Sequence, residues 1–126
     1  MNAIKILFQL VIISFASAST LAYAENNEQV KAAIEQTVAK LEQAVAAVDK
    51  GEDAKAIVEM VLEAKQLQKP ISTSDPKVSI KKAKGSNKLG QARTALNDGD
   101  LKSGGELVKG ALADYKEVKE KYNATH

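Results

Sequence analysis

Apolar residues return every three or four positions along four separate stretches of this chain. In the first, Val30, Ile34, Val38, Leu41, Val45 and Val48 form one stripe among Glu, Gln and Lys. That spacing predicts a bundle helix over residues 28–50 that buries a single face. Gly51 stops it, because glycine takes a left-handed cap at low cost. Glu52 or Asp53 then caps a second helix running to Gln68. Its apolar residues Ala54, Ile57, Val58, Val61, Leu62 and Ala64 cover a broader arc, which predicts the most enclosed helix of the four. Residues 69–75 hold Pro70, Ser72, Thr73 and Ser74 and read as a linker. Asp75 and Pro76 carry the chemistry of an N-cap and a first helical position, so a third helix starts there and runs to about Asn97. The fourth pattern is the most regular: Leu101, Gly104, Val108, Ala111, Tyr115, Val118 and Tyr122 follow a cap at Asp100.

Two of these stretches nearly repeat each other. Lys40, Leu41, Gln43 and Ala44 precede Gly51 as Lys88, Leu89, Gln91 and Ala92 precede Gly99, and acids flank both glycines. Past the glycines the likeness resumes in residues 59–64 and 106–111. A hairpin that cannot bury its apolar face alone must stack on a second one, so the prediction is an all-α, antiparallel four-helix bundle made of two repeated hairpins. The third helix departs from its counterpart. Residues 78–88 offer few large apolar groups, and glycine at 85 and 90 costs about 1 kcal/mol each against alanine in a helix interior. Fraying or a kink is expected there.

The ends and the composition narrow the function. Lys5, the apolar run over residues 6–16, and Ala22, Tyr23 and Ala24 have the layout of a cleaved signal peptide, expected to leave at residue 24. The expected product, residues 25–126, is one domain, exported to a periplasm or secreted, with no stable membrane insertion after cleavage. The chain has no cysteine, which excludes disulfides, thiolate metal sites, thiol catalysis and a lipoprotein anchor. After residue 24 the only aromatics are Tyr115 and Tyr122, the only methionine is Met60 and the only histidine is His126. No serine or lysine sits in a recognisable nucleophile motif, so the expectation is a protein that is not an enzyme.

Charge is the feature that breaks the symmetry of the repeat. Residues 25–70 hold nine acids and six bases, whereas no acid lies between Asp75 and Asp98. Lys77, Lys81, Lys84 and Lys88 are spaced four, three and four and share one helical face, with Lys82 and Arg93 nearby. One reading is an anion- or partner-binding face for a protein or an anionic partner. The other is a solvated face balanced by acids across the bundle. Export and the lack of stacking aromatics argue against nucleic acid. Poor coverage of the core by the third helix suggests a homo-oligomer. Carboxylates gather at the two turns, at Glu52, Asp53, Asp98 and Asp100. With His126 they form the candidate set for a weakly bound divalent metal, although acids at helix starts serve the helix dipole without one.

A leader, two alanine-rich hairpins, acid-glycine turns and a proline-containing linker together resemble small periplasmic four-helix bundles of two kinds. The stretches Glu42 to Gly51 and Lys88 to Gly99 resemble the small metal-binding protein family. Residues 70–76 and 92–122 are similar to cytochrome b562. The resemblance implies a bundle in the periplasm, with metal handling or haem binding as the families' activities. The ligands those activities need are absent. The metal-binding family places histidines throughout its helices, where this chain has Ala, Glu, Lys and Gln. The cytochrome needs a first-helix methionine and a last-helix histidine, and Lys119 stands about where that histidine belongs. The function expected from the sequence is therefore binding without catalysis, in a scaffold, stress-related or partner-binding role, through the lysine-rich face. Metal handling by carboxylates and a terminal histidine is the alternative, and no haem or other cofactor is expected.

Overall fold

A computed structural model describes residues 26–126, with side chains from residue 27; the leader expected over residues 1–24 lies outside the described residues. Four helices follow in order: α1 (Asn26–Asp49), α2 (Ala54–Leu67), α3 (Pro76–Asn97) and α4 (Leu101–Thr125). They pack as a ring, α1 on α2, α2 on α3, α3 on α4 and α4 back on α1. Ion pairs show the antiparallel course: Lys40 of α1 meets Glu63 of α2, Lys81 of α3 meets Glu117 of α4, and Lys109 of α4 meets Asp49 at the end of α1. The fold is the predicted all-α four-helix bundle.

The two tight turns share one hydrogen-bond pattern. Gly51 N–H donates to Val48 O and Glu52 N–H to Ala47 O, just as Gly99 N–H donates to Leu96 O and Asp100 N–H to Ala95 O. Both glycines have positive φ, 72° and 83°, the conformation that closes this C-terminal motif. The starts of the following helices differ. Asp100 accepts from Ser103 N–H at 3.1 Å and Asp75 accepts from Lys77 N–H at 2.9 Å. Asp53, expected as a cap, occupies the N-cap position of α2 with no side-chain cap bond.

The core is one cluster that draws on every helix and on the linker. Val30, Ile34, Val38 and Leu41 of the first stripe are buried, but beyond them Ala44 and Ala47 take the fully buried positions while Val45 and Val48 flank the core. The α4 stripe is buried from Gly104 to Tyr122, with Leu101 45% exposed at its start. The expectation that α2 is the most enclosed helix does not hold. Only Ile57, Val61 and Ala64 of its 14 residues are buried, and Leu62 is 38% exposed. At a rise of about 1.5 Å per residue, α2 reaches little more than half as far as its neighbours. Past its end the linker residue Ile71, fully buried, completes that side of the core.

The expected fraying of α3 is absent, since the helix runs unbroken from Pro76 to Asn97. Gly85 is the reason. A methyl group there would lie 2.6 Å from Cε2 of Tyr115, so the missing side chain admits the tyrosine ring against the α3 backbone. At the other end of the same interface, a methyl on Gly104 would meet Leu96 Cδ2 at 2.6 Å. Glycine lowers helix propensity but permits close approach, and the packing gained outweighs the intrinsic cost of about 1 kcal/mol.

Candidate functional site

The helical phase of about 100° per residue carries Lys77, Lys81, Lys84 and Lys88 to the flank of α3 that borders α4. There two of the four are engaged. Lys81 Nζ lies 2.9 Å from Glu117 Oε2, and Lys88 Nζ lies 2.8 Å from Asp114 Oδ2, whose side chain is only 7% exposed. The hydrogen bond to Glu117 raises the Lys81 pKa, and the same bond holds the Glu117 carboxyl below the usual range, with Lys84 and Lys121 adding to the effect. Glu117 is exposed and Lys81 partly so, so the pair adds little to the stability of the fold. The lysine stripe is thus partly the ordinary balance of charge across a bundle. Lys77 and Lys84 are exposed, and neither has a carboxylate within ion-pair distance among the described residues.

Arg93 and Lys82 lie elsewhere. The same phase puts them on the opposite flank of α3, with Gly90, toward α2. Arg93 is exposed, so the structure separates it from the stripe it was grouped with. Lys82 turns inward and donates from Nζ to the Ile71 carbonyl at 2.6 Å, and partial burial lowers its pKa. It holds the linker. A second tie lies beside it: the Tyr115 hydroxyl donates to Gln68 Oε1 at 3.1 Å and approaches Lys82 O at 3.5 Å. Burial pushes the Tyr115 hydroxyl well above its ordinary pKa, so it stays protonated and able to donate.

A second charge ladder went unread in the sequence. Glu28, Glu35, Glu42 and Asp49 recur every seven residues on α1, as do Lys102, Lys109 and Lys116 on α4. The fold sets Asp49 3.0 Å from Lys109 and Glu42 3.9 Å from Lys116. The spacing of seven was the available signal, since charges at that interval flank a bundle seam. α4 therefore presents lysines to α1 on one side and acids to α3 on the other. Between α3 and α4 a shallow, open cleft of about 320 Å³ is lined by Lys88, Ser103, Glu106, Leu107 and Gly110.

The five candidate metal ligands are not brought together. Glu52, Asp53, Asp98 and Asp100 are exposed at the end of the bundle where both tight turns lie. The Asp100 carboxylate is taken by its cap bond to Ser103 N–H, which holds its pKa low. His126 lies at the opposite end, stacked on Tyr122 with ring centres 3.9 Å apart and planes 7° from parallel. Its Nδ1 is 2.9 Å from Thr125 Oγ1 and 3.0 Å from Tyr122 O, and its carbonyl accepts from Lys31 Nζ at 3.3 Å. Tyr122 in turn donates to Asn27 Oδ1 at 2.7 Å, joining the two outer helix ends. Among the described residues no group of three or more His, Asp or Glu is placed to hold a metal ion. Comparison of the chain with known protein families, with curated proteins and with solved structures finds no match.

Proposed function

We propose that this chain is an exported, non-enzymatic bundle that acts by binding, with an acidic partner seated on the basic face of α3. The observation that carries this reading is the pair Lys77 and Lys84. Both are exposed and, among the described residues, without an ion-pair partner, on a 22-residue helix that contains no acid. Lys81 and Lys88 border the same contact from within their pairs with α4, and Arg93 adds only to the field of the helix from its other flank. Each exposed charge pair with a partner contributes about 0.2–1 kcal/mol. Binding should therefore be modest, additive in lysines and weakened by salt. The leader pattern supports export.

Fluorescence anisotropy with a labelled poly-glutamate peptide at low ionic strength tests the reading. Lys77→Gln with Lys84→Gln should weaken binding about 10-fold, corresponding to the loss of two charged contacts. Arg93→Gln should change it much less. Equal affinity of the wild type and the double variant would remove the α3 face as the contact.

A further inference from the structure

The open cleft of about 320 Å³ between α3 and α4 holds groups of both charges above an apolar floor. Ser103, Glu106, Leu107 and Gly110 line it from α4, and residues at these intervals of three and four share one helix face. Lys88 closes it from α3. Because Gly110 has no side chain, the lysine crosses the helix there, its Cδ 3.3 Å and its Nζ 3.6 Å from where a Cβ would stand. Its ammonium is fixed from behind. The side chain of Asp114, only 7% exposed, accepts one of its three N–H donors at 2.8 Å, and no other acceptor takes the remaining two among the described residues. Glu106 is exposed and has no ion-pair contact among the described residues. It precedes Gly110 by about one turn, or about 6 Å along α4.

We infer that this cleft is a binding site for a small zwitterion, an α-amino acid with an apolar side chain, its carboxylate on Lys88, its ammonium on Glu106 and its side chain on Leu107. The charges select for both signs in one molecule. A free anion is opposed by Glu106 and by Asp114 behind the lysine, and a free cation is opposed by Lys88. An ammonium and a carboxylate on adjacent atoms, with one hydrogen bond of about 2.8 Å at each end, span a gap of about one helical turn. Ser103 places a hydroxyl three residues before Glu106, on the ammonium's side of the cleft. The pair with Asp114 orders the lysine before any ligand arrives, which lowers the entropic cost of binding. A few convergent polar groups around an apolar contact are the usual make-up of a small-molecule site, and the volume suits an occupant of this size. The cleft is open to solvent, so affinity is modest and falls as salt is raised. Lys77 and Lys84 take no part, so this site is independent of the acidic partner proposed above.

Amide NMR titration of the purified protein with leucine at low salt should move the signals of Lys88 and of residues 103–110, with a dissociation constant of about 1 mM. Isoamylamine, which is leucine without its carboxylate, and isocaproate, which is leucine without its ammonium, should each bind about 10-fold more weakly. Glycine, with no side chain to lay on Leu107, should fall between. Glu106→Gln alters an exposed residue outside the core, so it should keep the helical circular dichroism and weaken leucine about 10-fold, bringing it close to isocaproate. Lys77→Gln with Lys84→Gln should leave leucine binding unchanged, so the two sites can fail separately. The proposal is overturned if leucine moves no signal in the cleft up to about 20 mM, if either half-ligand binds as well as leucine, or if Glu106→Gln binds leucine as the wild type does.

Discussion

The α1–α2 and α3–α4 hairpins pivot on the same hydrogen bonds about Gly51 and Gly99, yet the helices on either side of the two pivots meet by different means. The helices of the first hairpin contain no glycine, and near their turn their buried residues are alanine and branched: Ala44, Ala47, Ile57, Val61 and Ala64. The second places five glycines within its helices. Gly85 and Gly104 are closed over by Tyr115 and Leu96, and Gly105 by Val48 of α1. Helix propensity thus contributes more to the first hairpin, and tertiary packing more to the second. A helix that is poor on its own can be sound in a bundle when each missing methyl is matched by a neighbour.

The largest test of that contrast is Tyr115→Ala. It should cost about 3–5 kcal/mol in chemical denaturation, since the ring fills the space against Gly85 and the hydroxyl ties α4 to the end of α2. A loss below about 1 kcal/mol would mean that the second hairpin does not depend on this contact. Alkaline pH tests the same ring. Because burial raises the folded-state pKa of Tyr115 above its ordinary value of 10.0, the unfolded chain releases the proton first. The stability present below pH 10 should then fall by up to about 1.4 kcal/mol per pH unit as pH rises toward the folded pKa. Tyr115→Phe should flatten that slope, as read from urea midpoints at a series of pH values.

Smaller effects separate glycines by environment. Gly85→Ala should destabilise by about 1–2 kcal/mol, overpacking against the ring exceeding the gain in propensity. Gly90→Ala, which meets only the flexible end of Lys65 at 3.6 Å, should stabilise by up to about 1 kcal/mol. Thermal unfolding that ranked the two the other way round would refute the packing account of α3. Gly51→Ala and Gly99→Ala should each cost about 1 kcal/mol and by similar amounts, because open space surrounds both sites and only the positive φ is strained. The caps give the smallest contrast: Asp100→Ala should lose about 0.5–1 kcal/mol, and Asp53→Ala, with no side-chain bond to lose, a few tenths.

Much of this architecture can be read from the chain. The bounds of α1, α3 and α4 follow from the apolar spacing and from Gly51, Asp75, Pro76, Gly99 and Asp100, because caps and turns are local chemistry. The enclosure of α2 could not be read the same way. Its broad apolar arc says how much surface is available for burial, while its length of 14 residues and the arrival of Ile71 decide how much is buried. The candidate site divides similarly. Lys77 and Lys84 remain exposed as the spacing implied, but the pairing of Lys81 and Lys88 depends on which face of α4 carries Glu117 and Asp114. His126 and the turn acids are separated by the length of α4, which a helix running from the Asp100 cap to the end of the chain already implied.

The sequence by itself determined four helices, their turns and a basic third helix, because periodicity, glycine at positive φ and charge count are properties of neighbouring residues. Tertiary structure alone decided that Gly85 is a seat for Tyr115 rather than a defect, that Lys82 binds the linker rather than a ligand, and that half the lysine stripe is balanced by α4. Those outcomes depend on contacts between residues far apart in the chain, such as Gly85 with Tyr115 and Lys88 with Asp114. Such contacts exist only once helix order, register and facing have been chosen together.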